Sequence, residues 1–246
     1  MNNRIKTEEM HYQWVIDTTG EQLLLGLKNT TTAEWVFRYD AAVQSQRSHS
    51  AVLVPLMQTA LTQTGLTLAD ISRLSVCVGP GSFTGLRAGL ATVKTLGQYL
   101  SNLAIIPVTV FERLRLQALL ADVLPANTPL TVVLDAKQQR LYTATWQPQT
   151  GWETPQFYLL ETFLMEYDTD ASVLLVNEAL CSAVKAFNPA GIITIESIQD
   201  EADALEALSL ANTVGGFPVV PWQDITPLYL QNPNITVKKS VLKEVC

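Results

Sequence analysis

The chain has 246 residues, of which 48% are hydrophobic and 16% are charged, and its formal net charge is −7. This length suits one two-lobed unit or two small lobes with a sizeable core. The acidic balance argues against a protein that holds nucleic acid directly, because phosphate contacts require clustered Lys and Arg side chains.

The first half of the chain predicts a β-meander followed by alternating helices and strands. Residues 1–11 are polar and are expected to be flexible. Apolar periodicity and turn residues then indicate strands at Tyr12–Asp17, Gln22–Leu27 and Glu34–Tyr39, a helix at Ser50–Thr64, a strand at Ile71–Val78, a helix at Thr84–Leu100, a strand at Ala104–Val108 and a helix at Thr109–Ala121.

The second half repeats this order. The segment VVLDAKQQRLYTATW resembles the opening WVIDTTGEQLLLGLK, and the matched residues Asp17 and Asp135 are 118 positions apart. The hairpin that begins at Leu130–Asp135 precedes further predicted elements, which are a strand at Val173–Val176, a helix at Glu178–Ala186, a strand at Ile192–Ile195 and a helix at Glu201–Asn212.

This repetition predicts an α/β protein with a duplicated lobe. The first lobe covers residues 12–121 and the second covers 122–221, while residues 222–246 are expected to pack back on the first lobe. The layout resembles the actin-like ATPase and sugar-kinase superfold, in which a β-hairpin turn of each lobe faces a nucleotide in the cleft.

The run GPGSFTGLR at Gly79–Arg87 joins a predicted strand to a predicted helix. Its glycines permit close approach of a phosphate or of another chain segment, and helix N-termini favour anions. One interpretation is an anion or nucleotide site with candidate contacts at Asp17, Gly81, Ser82 and Arg87. The other is a tight turn that docks the helix closely. The spacing matches neither a P-loop nor a dinucleotide-binding GxGxxG motif.

Small residues recur every three or four positions along the helix that follows this run. Such a stripe allows another helix to approach closely. The stripe could face another helix of the same chain or a helix of a partner, and the sequence does not decide between these two interpretations. The partner interpretation predicts an interface formed with the preceding helix by His49, Val52, Leu53, Leu56, Met57, Ala60, Gly85, Ala88, Gly89, Ala91, Thr92 and Thr95.

The remaining patterns do not predict catalysis or metal binding. Asp17 and Asp135 occupy strand ends, where this superfold performs metal–phosphate chemistry, but the turn after Asp135 lacks the glycines that a phosphate cradle needs. Neither His11 nor His49 has a partner at metal-ligand spacing. The three cysteines form no CxxC pair and fit a reducing cytosol. No apolar run reaches the roughly 18 residues of a membrane span.

Several segments together resemble the TsaB (YeaZ) family, the dimerisation subunits of the bacterial tRNA threonylcarbamoyladenosine synthesis machinery. These are VCVGPGSFTGLRAGLATVKTLGQYL, the opening IDTT, RSHSAVLVPLM, LDAKQQRLY and PLYLQNP. The family is related to TsaD, the transferase, whose HHMEGH motif holds a metal. The matching stretch here is Thr109–Leu114, in which Val110 and Leu114 stand where histidines are needed.

The resemblance therefore implies a pseudo-enzyme with a degenerate active site and no catalytic residues. It would bind TsaD through the helices Ser50–Thr64 and Thr84–Leu100, and it would pair with itself through the same face in isolation. TsaE would join the assembly, tRNA would be contacted only indirectly, and the location would be cytoplasmic. No cofactor is implied beyond weak nucleotide binding at a subunit interface. The alternative is an ATP-dependent kinase or hydrolase that uses Asp17 and Asp135.

Overall fold

The computed structural model describes residues 11–42, 49–166, 173–185, 191–201, 203–214 and 216–230. The predicted flexible segment 1–11 lies outside this part of the chain except for His11, and so does the predicted tail beyond residue 230.

The described residues of the first lobe form five strands and three α-helices in the predicted order. They are β1 (Tyr12–Asp17), β2 (Gln22–Asn29), β3 (Trp35–Ala42), α1 (His49–Thr64), β4 (Ile71–Cys77), α2 (Phe83–Tyr99), β5 (Ala104–Val108) and α3 (Val110–Leu120). The sheet has the order β3-β2-β1-β4-β5, antiparallel from β3 to β1 and parallel from β1 to β5. All six residues of β1 are buried, as expected for a central strand covered on both faces.

The second lobe repeats this topology. Its elements are β6 (Leu130–Asp135), β7 (Arg140–Gln147), β8 (Gly151–Trp152), β9 (Gln156–Leu159), α4 (Leu160–Glu166), β10 (Val173–Val176), α5 (Glu178–Lys185), β11 (Ile192–Thr194), α6 (Ile195–Glu201) and α7 (Ala204–Ser209). The sheet order is β11-β10-β6-β7-β8, and β9 also pairs with β7.

Four of these elements were not predicted from the sequence. They are β8, β9, α4 and α6, all of which are short, so periodicity alone gives little signal for them. The helix predicted at Glu201–Asn212 spans only Ala204–Ser209. Its start is set by Asp203, whose side chain caps it by accepting hydrogen bonds from Leu205 N and Glu206 N.

The two sheets enclose a shared layer of helices. Side chains of α3 and α7 form one hydrophobic cluster with residues of both sheets, among them Val15 and Ile106 from the first lobe and Val132 and Leu175 from the second. On the opposite face of the first sheet, α1 and α2 cover a separate core. On the opposite face of the second sheet, α4 and α5 cover a third core.

The helix α7 belongs to the first lobe by its contacts, although its sequence position suggested the second. The buried Nζ of Lys28 in β2 donates hydrogen bonds to Glu206 Oε1 at 2.6 Å and to Ser209 Oγ at 3.0 Å. Gln13 in β1 also donates to the carbonyl of Ser209. These polar contacts attach α7 to the first sheet.

Residues 220–228 lie along the first lobe. The backbone of Val220 pairs with Ile105 in β5, and Leu228 N donates to the carbonyl of Val78. The side chain of Trp222 packs against Gly97 in α2, where an added Cβ would come within 2.5 Å of it. This placement covers the edge strand β5.

Candidate functional site

The glycine run packs directly on the turn between β1 and β2. A Cβ at Gly81 would overlap the carbonyl of Thr19, and a Cβ at Gly85 would overlap the carbonyl of Thr18. A Cβ at Gly89 would lie 2.5 Å from Thr18 Oγ1. These glycines therefore serve close packing inside the chain.

The N-terminus of α2 is bonded to the same turn. Ser82 N donates to the carbonyl of Thr19 at 2.7 Å, and the Ser82 side chain accepts from Gly85 N at 3.2 Å. Thr18 Oγ1 donates to the carbonyl of Gly85 at 2.8 Å. These contacts favour the interpretation of the run as a tight docking turn over its interpretation as an anion site formed by Gly81 and Ser82.

Asp17 lies at the end of β1 and is only 3% exposed. Its Oδ1 accepts hydrogen bonds from Thr19 N at 2.8 Å and from Thr19 Oγ1 at 2.6 Å. Its Oδ2 lies 3.3 Å from Nε of Arg113, a buried residue of α3. The Nε–H is not directed at the carboxylate, so the contact is an ion pair rather than a hydrogen bond.

Arg113 was not singled out in the sequence analysis, although it lies within the stretch Thr109–Leu114. Its guanidinium also donates to Gln117 Oε1 at 2.6 Å. An internal cation thus lies beside the Asp17 carboxylate. Both carboxylate oxygens of Asp17 therefore have partners within the chain.

Asp135 in the second lobe has local partners. Its Oδ1 accepts from Lys137 N at 2.7 Å, and the Nζ of Lys137 lies 3.6 Å from Oδ2. The next residues, Lys137, Gln138 and Gln139, all have positive φ angles of 53–67°. Each of these side chains is exposed, and the turn offers no glycine for the approach of a phosphate.

Arg87 is the exposed cation of the run. Its guanidinium lies over the ring of Phe83, with 5.4 Å between the guanidinium carbon and the ring centroid. Phe83 in turn packs on Tyr229 with 5.1 Å between ring centroids. No ion pair to Arg87 occurs within the described ranges, so Arg87 remains a candidate anion contact.

The predicted interface residues divide into two groups. Leu53, Met57, Ala60, Gly85 and Gly89 are buried in the chain's own core or against its β1–β2 turn, so they present no surface to a partner. The second group is half-buried or exposed and consists of His49, Val52, Leu56, Ala88, Ala91, Thr92 and Thr95. Only the residues of this second group remain candidates for contact with a partner.

The exposed side of α1 and α2, which we call the outer helical face, is poor in charge. The 16 residues of α1 include no Asp, Glu, Lys or Arg, and the 17 residues of α2 include only Arg87 and Lys94. Three large side chains of these helices that the sequence analysis did not select are open to solvent, namely Val54 at 46%, Phe83 at 38% and Tyr99 at 80% exposure. Interfaces are depleted of charge in this way at their centres.

A separate cavity opens between the lobes, beside the first turn of α3. It holds about 310 Å³ and is lined by Thr109, Phe111, Glu112, Ala144, Trp152, Glu153, Thr154 and Pro155. Glu112 and Thr109 form a capping box, with Thr109 N donating to Glu112 Oε2 and Glu112 N donating to Thr109 Oγ1. Burial raises the pKa of Glu112, and the hydrogen bonds from Thr109 oppose this in part.

Three further features of the described residues concern metal binding, thiol chemistry and membrane insertion. In the described part of the chain, no three His, Cys, Asp or Glu residues gather where they would hold a metal ion. Burial, followed by the nearby charge of Asp17, raises the pKa of the Cys77 thiol, which keeps it protonated and unreactive. None of the described helices is both long and apolar enough to cross a bilayer.

Comparisons with known sequences match part of the chain. A family model described as TsaD, tRNA N6-adenosine threonylcarbamoyltransferase, matches residues 43–151. The tRNA threonylcarbamoyladenosine biosynthesis protein TsaB of Bacillus subtilis is 28% identical over 138 residues, which are 55% of this chain and 55% of that protein. The chain spans about half the length of the curated relatives it matches.

Solved structures extend the likeness in fold to most of the chain. YeaZ from Pseudomonas aeruginosa is 18% identical with a TM-score of 0.62, over 90% of this chain and 100% of that one. A Bacteroides thetaiotaomicron protein described as having an actin-like ATPase fold is 9% identical with a TM-score of 0.50, over 86% of this chain and 99% of that one. The predicted actin-like fold is confirmed.

Proposed function

We propose that this chain, which belongs to the TsaB (YeaZ) family, is a non-catalytic subunit in tRNA threonylcarbamoyladenosine synthesis. The modified nucleoside is the adenosine next to the anticodon. In this proposal the chain binds and positions the transferase TsaD, using the outer helical face. The names of the relatives support a role in tRNA threonylcarbamoyladenosine synthesis. The surface of α1 and α2 supports TsaD binding through the outer helical face.

The observation that carries the proposal is the uncharged, partly apolar character of the outer helical face. Across the whole chain 16% of residues are charged, whereas α1 has no charged side chain and α2 has two. Apolar side chains occur on both sides of α1, since Leu53 is buried in the core while Val54 is exposed. A helix that is apolar on both sides favours burial on both sides.

The interlobe region supports a non-catalytic role. Arg113 faces the Asp17 carboxylate, and the Thr19 carbonyl bonds to the start of α2. Val110 and Leu114 are apolar and buried in the shared core, so they offer no metal ligand. Arg113 gives the Asp17 carboxylate a partner inside the chain, which supports a non-catalytic role for Asp17.

The further partners in this proposal are taken from the resemblance to the TsaB (YeaZ) family. We propose that TsaE joins the complex, that the chain forms a homodimer through the outer helical face when TsaD is absent, and that tRNA contacts the chain only indirectly. The complex would act in the cytoplasm. No resident cofactor is required, and Arg87 is the residue we propose for any weak nucleotide contact at the subunit interface.

Co-purification with TsaD tests the proposal. Val54→Glu and Ala91→Glu each place a charge on the outer helical face without entering the core, since both positions are exposed. Leu159→Glu is the matched control, because Leu159 is 55% exposed and lies on β9 of the second lobe. We expect the first two variants to lose TsaD and the control to retain it.

Two results would overturn the proposal. One is a normal level of threonylcarbamoyladenosine in tRNA after depletion of the protein, with no TsaD in the purified material. The other is tight binding and turnover of Mg-ATP by the isolated chain in calorimetry, which would favour the kinase or hydrolase alternative built on Asp17 and Asp135.

A further inference from the structure

The cavity between the lobes is independent of the outer helical face. One wall comes from the start of α3 in the first lobe, through Thr109, Phe111 and Glu112. The other wall comes from Ala144 in β7, Trp152 in β8 and residues 153–155. Its volume of about 310 Å³ lies at the lower end of the range of small-molecule sites, roughly 300–1,000 Å³.

The lining has the composition of a cation site. Among the described residues that line it are two carboxylates, Glu112 and Glu153, and two aromatic rings, Phe111 and Trp152, and none of these lining residues is Lys, Arg or His. The two rings lie with centroids 6.3 Å apart and planes inclined by 44°, so they form a corner rather than a flat stack. Aromatic faces attract cations through the ring quadrupole, and Trp does so best.

The Glu112 carboxylate is held in place before any ligand arrives. Its Oε2 accepts from Thr109 N at 2.5 Å, which fixes the side chain at the first turn of α3. Its Oε1 accepts no hydrogen bond from a described residue. A fixed acceptor at a half-buried position binds a charged donor more strongly than a mobile surface carboxylate does, because less entropy is lost and the local dielectric is lower.

We propose that this interlobe cavity binds a small organic cation, with a guanidinium or ammonium group placed against Trp152 and paired with Glu112. The Glu153 carboxylate at the rim adds to the attraction. Since both lobes supply walls, a bound cation also links the first lobe to the second. The proposal does not depend on TsaD binding.

The test uses methylguanidinium chloride and its neutral near-isostere N-methylurea, titrated separately into the full chain. Binding is followed by NMR through the indole N–H signal of Trp152, identified by its loss in Trp152→Phe. We expect a saturable shift with methylguanidinium and none with N-methylurea. The peptide Gly-Arg-Gly is titrated in parallel. If the peptide binds more tightly than methylguanidinium, the natural ligand is an arginine side chain of a polypeptide; if it binds more weakly, the ligand is a free small molecule.

Glu112→Gln is the matched variant. Gln also serves at this position of a capping box, so the helix start is kept while the charge is removed. We expect methylguanidinium to bind this variant about tenfold or more weakly, as for loss of a charged hydrogen-bond partner. Equal shifts with N-methylurea, no saturable shift with methylguanidinium, or unchanged affinity in Glu112→Gln with an intact fold would each overturn the proposal.

Discussion

Nε of Arg113 lies 3.3 Å from Oδ2 of Asp17, although the two residues are 96 positions apart in the sequence. Asp17 ends the central strand of the first sheet, and Arg113 lies in the helical layer between the two sheets. Both side chains are at least nine-tenths buried. The pair therefore gives the buried Asp17 carboxylate a cationic partner inside the chain.

Removing Arg113 should be strongly destabilising. In Arg113→Met the buried Asp17 carboxylate loses its partner, and we expect a loss of about 3–5 kcal/mol in the free energy of unfolding, measured in urea. The double variant Asp17→Asn, Arg113→Met should recover much of this loss, because no unpaired buried charge remains. If the double variant were less stable than Arg113→Met, the ion pair would not be the source of the effect.

A methyl group at Gly85 should disturb the docking of α2. The added Cβ of Gly85→Ala would overlap the carbonyl of Thr18, so the turn or the helix must shift. We expect a loss of about 1–3 kcal/mol in the free energy of unfolding. Gly20→Ala is the control, because the nearest atom to its added Cβ is 3.9 Å away. Equal urea midpoints for the two variants would contradict the close packing described here.

Glu112 should make the stability depend on pH. Burial raises its pKa in the folded chain, despite the hydrogen bonds from Thr109. For a raised pKa, the contribution to stability is fully present below the unfolded value, about 4.3 for Glu, and is lost as the pH rises through the folded value. Glu112→Gln lacks this loss. The stability of the native chain relative to Glu112→Gln should therefore fall as the pH rises above the ordinary Glu range.

Urea midpoints of both proteins at a series of pH values provide this measurement. A relative stability that stays constant across the acidic range, or that rises with pH, would mean that the hydrogen bonds from Thr109 dominate over burial.

The attachment of α7 to the first sheet should depend on Glu206. In Glu206→Ala the buried Nζ of Lys28 loses its carboxylate partner, and the indole N–H of Trp35 loses its acceptor. We expect a loss of about 2–3 kcal/mol in the free energy of unfolding, less than for a fully buried pair, because a third of the Glu206 side chain is exposed.

Arg38→Ala is the comparison for this prediction. It removes the more exposed ion pair between Arg38 and Asp203 while leaving the Asp203 cap of α7 intact. We expect it to cost less than about 1 kcal/mol. Hydrogen exchange of α7 amides should accelerate in Glu206→Ala and remain near native in Arg38→Ala; the reverse order would show that Asp203, not Glu206, holds the helix.

The order of the elements could be read from the sequence because it depends on local patterns. The strands Tyr12–Asp17, Ala104–Val108 and Leu130–Asp135 occur with the predicted bounds, and Thr109 caps α3 as expected. Apolar periodicity and capping residues act over a few positions, so they are visible without the fold. The short elements β8, β9, α4 and α6 were missed, since two to seven residues show no reliable period.

The glycine run shows the limit of local patterns. Its residues predict a strand-to-helix turn, and the turn is present, but an anion cradle and a tight docking turn share the same glycines. The choice depends on Thr18 and Thr19, which are more than sixty positions away and fill the space beside Gly81 and Gly85.

The sequence by itself thus determined the repeated α/β topology, the helix and strand order and the resemblance to TsaB. Only the tertiary structure decided that Arg113 neutralises Asp17, that α7 lies on the first sheet, that Glu112 lines a cavity with Trp152, and which residues of α1 and α2 face solvent. The physical reason is that these relationships join residues distant in the chain. They are set by how the two lobes pack around their shared helical layer. The hydrophobic periodicity of a single segment carries no information on that packing.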